Sequence, residues 1–237
     1  MIIPGRPYDF PITGNLDPQR TALMIIDMQR DFCNHSGYMH RRGGDVGPAR
    51  AIIPRIRAVS EAARRVGMLI VFTREGHRPS LADLPESKRL KTALAGAEIG
   101  SRGPLGRLLI RGEHGWDFID ELRPSDNDLV IDKSGTGAFH GTDLDTALRN
   151  KGIQNLVLTG VTTGVCVSST AREAADRGYG VLVLEDCCAE PDPEYHSIAI
   201  RLLQIEGGYL ATVSTTNSLL AALGSQNTER DRRVAQM

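Results

Sequence analysis

Three residues of this chain stand where short apolar runs end: Asp27 after TALMII, Lys133 after DLVID, and Cys166 just past NLVLTGV, in GVTTGVCVSS. An acid, an amine and a thiol are the parts of a nucleophilic hydrolase. The thiolate attacks, the carboxylate takes and returns a proton, and the ammonium favours both anions. Cys166 sits at the start of a predicted helix, where unpaired N–H groups and the positive end of the dipole favour a thiolate. Its backbone N–H, with another from Thr162–Val165, would form an oxyanion hole, each donor contributing on the order of 3 kcal/mol in the transition state. No histidine stands at a predicted strand end, which separates this group from cysteine hydrolases that use a histidine base.

Plainer readings compete. A lone cysteine is often a small buried hydrophobe, an aspartate after a strand is often a turn residue, and a lysine is often solvated. It is their joint placement at three strand ends that favours chemistry. Cys187 and Cys188 in LEDCCAEPD also follow a predicted strand and are rival nucleophiles, read here as core; Cys33 lies in a polar loop. Glu75 and His77 in TREGHR, with Asp27 or His114, are the residues that could ligate a metal. Their spacing is not that of a compact site, so neither a metal nor a cofactor is expected.

These residues need a scaffold that brings strand ends together. The apolar runs Thr21–Met28, Met68–Thr73, Asp128–Lys133, Asn155–Val161, Gly180–Glu185 and Tyr209–Ser214 predict six strands. Helical spacing predicts helices over Val46–Val66, Asp143–Asn150, Cys166–Arg177, Pro193–Ile205 and Asn217–Leu223. Strands that alternate with helices are parallel, because parallel strands need crossovers, so the expected fold is a three-layer α/β fold with a six-stranded, mostly parallel sheet. In such sheets ligands bind at the carboxyl ends of the strands, where Asp27, Lys133 and Cys166 fall. Arg74–Gly115 is long and irregular, rich in Gly, Pro and basic residues, as lids and interface segments are. One domain is expected over 1–237, with an N-terminal arm over 1–20 and a polar tail over 225–237.

Composition narrows the function. The 237 residues carry 28 Lys+Arg and 29 Asp+Glu, a formal net charge of −1, so the basic face that nucleic acid or anionic lipid would need is not indicated. No apolar run approaches the ~20 residues of a membrane span. The N-terminus has no signal-peptide pattern, and four cysteines are too few for a disulfide scaffold. A cytoplasmic protein is the expectation.

The motifs ALMIIDMQRDF, VIDKSGTGAFHGTDL and LVLTGVTTGVCVSSTAREAADRGYGVLVLEDCC, in this order, resemble the isochorismatase-like cysteine hydrolases over roughly residues 20–224. TREGHRPSLADLP and LEDCCAEPD look most like the biuret and triuret hydrolase branch, with ureidoacrylate amidohydrolases further off. The resemblance implies a doubly wound fold, a homo-oligomer that is often a tetramer, and a catalytic triad of Asp27, Lys133 and Cys166. It also implies a non-proline cis peptide before Thr162, which aims the Thr162 N–H, with that of Cys166, at the oxyanion. Isochorismatase lacks the nucleophilic cysteine, so Cys166 points to the amidase branch. Nicotinamidases carry a metal-binding Asp-x-His; Arg74-Glu75-Gly76-His77 departs from it.

In the biuret hydrolase pattern a Gln stands where IEGGYLATVS has Glu206. An ionised Glu only accepts hydrogen bonds, so Glu206 would favour an N–H-bearing substrate end, and triuret ahead of biuret. Phe32 is a candidate wall of the substrate pocket. The expected activity is metal-free hydrolysis of a C–N bond in a small-molecule ureide. The alternatives are a ureidoacrylate or nicotinamide-type amidase, and a catalytically silent oligomer.

Overall fold

The computed structural model describes residues 1–224; the polar tail expected over 225–237 lies outside the described residues. Six strands form the main sheet: β1 (Thr21–Ile26), β2 (Leu69–Glu75), β3 (Leu129–Lys133), β4 (Asn155–Val161), β5 (Gly180–Ala189) and β6 (Thr212–Ser214). They pair in parallel throughout, in the order β3-β2-β1-β4-β5-β6. β1 is buried along its whole length, which is why its sequence lacks polar alternation. Its Leu23 and Ile25 join one apolar core; Ala22, Met24 and Ile26 join the other.

Helices cover both faces. α1 (Ile53–Arg65) packs Ile56, Val59 and Ala63 into the first core, with Leu219 and Leu223 of the helical stretch 216–224. The long excursion between β2 and β3 carries α2 (Glu86–Leu94). The second core takes Leu144 and Leu148 of α3 (Leu144–Asn150), Ala171 and Ala174 of α4 (Ser168–Asp176), and Ile200 and Leu203 of α5 (Pro193–Leu203). The fold is therefore the three-layer α/β fold that the alternation implies. Among the described residues no helix is long and apolar enough to cross a membrane.

Several boundaries differ from the sequence pattern: β1 ends at Ile26 rather than Met28, and β6 begins at Thr212 rather than Tyr209. The helix expected over Val46–Val66 is two, Gly47–Ala51 and α1, broken at Ile52. Pro54 lacks an N–H, and its ring opposes the carbonyl four residues back, so the two pieces cannot run on as one helix. β2 continues two residues past Thr73, because Arg74 leaves the core sideways. Its guanidinium lies over the Trp116 ring at 3.8 Å and pairs with Asp132 and Asp117. β5 runs on to Ala189, with Glu185 paired to Arg6 and Asp186 accepting from the Thr216 N–H.

The strand order reverses direction between β1 and β4, and in such sheets the crevice at that point receives ligands. Gly160 makes this seam possible. Its φ is +108°, and a Cβ there would lie 2.1 Å from the Ile26 carbonyl oxygen, so no other residue lets the two strands approach this closely.

Candidate active site

Four strand ends converge at the carboxyl edge. Asp27 follows β1 in the left-handed region, φ 52°, a conformation that Asp tolerates better than most residues. Its backbone N–H donates to Thr73 O, and its Oδ1 accepts from the Thr73 hydroxyl at 2.6 Å. Lys133 ends β3 and is fully buried; its Nζ lies 2.8 Å from Asp27 Oδ2 and donates to the carbonyls of Gly135 and Thr136. Asp27 Oδ2 has this ion pair but no aligned hydrogen bond, which leaves a lone pair for an incoming proton.

After β4 the Val161–Thr162 peptide is cis, and Thr163–Val167 form one wide helical turn before α4. Cys166 is in this turn rather than in a regular first turn of α4. Val165 and Val167 donate to Thr162 O, and Gly164 donates to Glu190 Oε2 at 2.7 Å. The Thr163 hydroxyl is bonded to His196 Nδ1 at 2.8 Å. The turn is thus pinned from the loop after β5 and from α5.

Glu75, the last residue of β2, completes the cluster. Its Oε2 accepts from the Cys166 thiol at 3.3 Å and lies 3.5 Å from Lys133 Nζ; its Oε1 accepts from Lys88 of α2 at 2.7 Å. Gln29 clamps its backbone, accepting from the Glu75 N–H and donating to the Glu75 carbonyl. The structure therefore brings Asp27, Lys133 and Cys166 together, and adds an acid and an amine that the spacing of the apolar runs does not reveal. The signal for Glu75 is its position two residues past an apolar run.

The electrostatics divide the labour between the acids. Burial raises Asp27 above the usual carboxylate range against the pull of Lys133. Burial would raise Glu75 too, but Lys133 and Lys88 outweigh it and hold Glu75 down to about 2. Burial would lower Lys133; Asp27, Cys166 and Glu75 reverse that and keep it charged. The Cys166 thiol is pushed well up by burial, which the Lys133 ammonium opposes and Asp27 and Glu75 reinforce. A helix start and a nearby lysine favour the thiolate, but desolvation of the sulfur acts in the opposite direction and is the larger effect.

The remaining residues sort clearly. Cys187, bonded to the Thr216 hydroxyl, and Cys188, bonded to Leu158 O, are buried in β5, and burial pushes the Cys187 thiol up to about 12. Cys33 is likewise buried, its thiol also raised to about 12 by burial. His77 is buried with Nδ1 against the Asp83 carbonyl, and His114 is exposed; neither joins the cluster. Among the described residues, the ligand atoms of Asp27, Glu75 and Cys166 lie within 4.8 Å of one another. This set does not fit a cation, because two ammonium groups already neutralise both carboxylates.

Phe32 is buried edge-on to Tyr38 and lines a small enclosed space with Thr162 and Glu190. Beside it a cavity of about 530 Å³ opens, lined by Arg42, Asp45, Thr162, Val165, Glu190 and Tyr195. Glu206 is elsewhere. It is exposed, with φ 53°, in the turn Ile205–Gly208 that leads into β6, and so stands at the amino edge of the sheet. A single chain does not bring it to Cys166.

The parallel sheet carries a buried thiol, amine and acid at its switch point, the parts of a cysteine hydrolase. The family model described as the isochorismatase domain matches residues 21–218, and the chain belongs to that family. It is 33% identical over 232 residues to ureidoacrylate amidohydrolase RutB of Caulobacter segnis, covering 94% of this chain and 92% of that protein. Among solved structures it is similar to a cysteine hydrolase from Pseudomonas syringae pv. phaseolicola, with TM-score 0.75, 26% identity, and 89% and 95% of the two chains covered. N-carbamoylsarcosine amidase from Thermoplasma acidophilum gives TM-score 0.62, 30% identity and coverage of 83% and 96%.

Proposed function

We propose that this chain is a cysteine amidohydrolase that works without a metal on the terminal carbamoyl group of a small linear ureide, a urea bearing one substituent R on its second nitrogen. The observation that carries the reading is the buried set of Asp27, Lys133 and Cys166: Asp27 Oδ2 lies 2.8 Å from Lys133 Nζ, and a carboxylate oxygen of Asp27 lies within 4.8 Å of the Cys166 sulfur. Asp27 takes the Cys166 proton as the sulfur attacks the carbonyl carbon, and the N–H groups of Thr162 and Cys166 hold the oxyanion. The bond from that carbon to the terminal amino group breaks, and ammonia leaves with the proton from Asp27. Water, deprotonated by the same carboxylate, then hydrolyses the thioester to an N-carboxylate that loses carbon dioxide. For triuret this yields ammonia, carbon dioxide and biuret. Lys133 keeps the anions of each step compensated.

Two forms of R follow from different observations. The motifs TREGHRPSLADLP and LEDCCAEPD favour a neutral R, as in biuret or triuret; the preference for triuret rests on Glu206, which a single chain does not bring to Cys166. The likeness to a ureidoacrylate amidohydrolase, together with Arg42 at the rim of the cavity beside Thr162, favours a carboxylate-bearing R. Ammonia release from triuret, biuret, ureidoacrylate and nicotinamide, offered side by side without added metal, decides between them. Turnover of none of the ureides overturns the reading. Dialysis against EDTA is expected to leave the rate unchanged; a loss restored by zinc would return the metal alternative. A homotetramer and a cytoplasmic location belong to the same proposal, the first checked by light scattering of the purified chain.

A further inference from the structure

The excursion between β2 and β3 delivers one charged side chain to the catalytic cluster. Lys88, in the first turn of α2, donates to Glu75 Oε1 at 2.7 Å and to the Ser134 carbonyl at 2.8 Å. A cation gains nothing from the first turn of a helix, where the dipole is positive, so the placement is held by these two acceptors. The other oxygen of the same carboxylate touches the Cys166 sulfur.

We propose that Lys88 is a positioning residue of the catalytic centre, acting on Cys166 through Glu75. The charges show why. With a thiol present, the carboxylates of Asp27 and Glu75 face the ammonium groups of Lys133 and Lys88, and the buried cluster is neutral. When the proton moves from Cys166 to Asp27, the anions become the thiolate and Glu75, and the same two ammonium groups still balance them. Without Lys88, a thiolate and a carboxylate in contact would share Lys133 alone. Like charges at that separation, away from water, oppose ionisation of the thiol. Lys88 also takes up Oε1, which fixes Oε2 towards the sulfur.

The test is the rate at which iodoacetamide alkylates Cys166 near neutral pH, in the full chain, with the modified peptide identified by mass spectrometry. It needs no substrate, so it stands whether or not ureides are turned over. Lys88→Met and Lys88→Gln are each expected to slow alkylation by about 10-fold or more, equivalent to a shift of one pKa unit. Lys88→Arg should stay within about 3-fold of the parent, since it restores the charge. Adding Glu75→Gln to Lys88→Met removes the uncompensated anion and should recover most of the rate, an interaction that a simple tether would not show. With whichever amide proves to be the substrate, kcat should fall in Lys88→Gln while KM holds. Unchanged alkylation in both neutral variants, or a double variant as slow as Lys88→Met, would overturn the proposal. So would failure of both neutral variants to fold while Lys88→Arg folds, since Lys88 would then be a structural tether.

Discussion

At the carboxyl edge of the sheet, Asp27, Glu75, Lys133 and Cys166 are all buried and every charge has a partner, whereas the amino edge is open. There the N-terminal arm and the starts of β4, β5 and β6 enclose a cavity of about 560 Å³, lined by Tyr8, Phe10, Arg149, Asn155, Arg177 and Tyr179 among others. The cavity at the amino edge holds no nucleophile, while one of nearly equal volume, about 530 Å³, opens at the carboxyl edge, where five ionisable groups form one cluster. Room is therefore a poor guide to chemistry here. Topology is the better one, because parallel strands send all their carboxyl ends to one side, where loops rather than strand backbone can present reactive groups.

The contrast is broken most severely by removing the sulfur. Cys166→Ser is expected to lower ammonia release on the order of 10⁴-fold or more while the chain stays folded. Retained activity, or a collapsed thermal melt, would show that the cluster is structural. Next in size is Lys133→Met, which leaves the carboxylates of Asp27 and Glu75 within 4.8 Å of each other without the central ammonium. Breaking a buried ion pair from one side costs about 3–5 kcal/mol, read as a lowered denaturant midpoint. The same loss is not expected from Arg149→Met at the open edge, where the Arg149–Asp145 pair is solvated.

A smaller effect depends on pH. Glu75 is held at about 2 when folded, against an ordinary value of 4.5. The unfolded chain therefore binds the proton first on acidification. The stabilisation from ionised Glu75 is complete above about pH 4.5 and is lost as pH falls towards 2. Melting temperatures of the parent and of Glu75→Gln, measured across that range, should converge on the acid side. The smallest effect is expected from Glu206→Gln. Placed at the amino edge, it should leave the ratio of triuret to biuret turnover within about 2-fold of the parent, since exposed substitutions usually act weakly. A shifted ratio would mean that a second copy of the chain carries Glu206 to its neighbour's carboxyl edge.

The same edge rule explains what can be read from the residues alone. Asp27, Lys133 and Cys166 are legible because each follows an apolar run whose direction is known once the strands are parallel. Glu206 precedes such a run, so the rule that finds the triad also places Glu206 at the far edge. Glu75 is obscured because Arg74 interrupts the apolar pattern, and the aromatic rings that receive the Arg74 guanidinium, Trp116 and Phe118, come much later in the chain. Lys88 sits in ESKRLK beside Arg89 and Lys91; nothing local separates it from solvated neighbours, and only its bond to Glu75 at the end of β2 does so. The direction in which the thiol is shifted is equally hidden, since helix position and a nearby lysine can be seen in a sequence but the extent of desolvation cannot.

The seam at Gly160 has a consequence for how this chain can vary. A methyl group there would meet the Ile26 carbonyl, pushing β1 from β4 and with it Asp27 from Cys166. Folding and catalysis thus share one point of failure, and a library selected only for foldedness would already retain glycine at position 160. An invariant residue recovered in that way would carry no information about substrate. Variation at Arg42 or Phe32 would, because those side chains line the spaces beside Thr162 without holding the two halves of the sheet together.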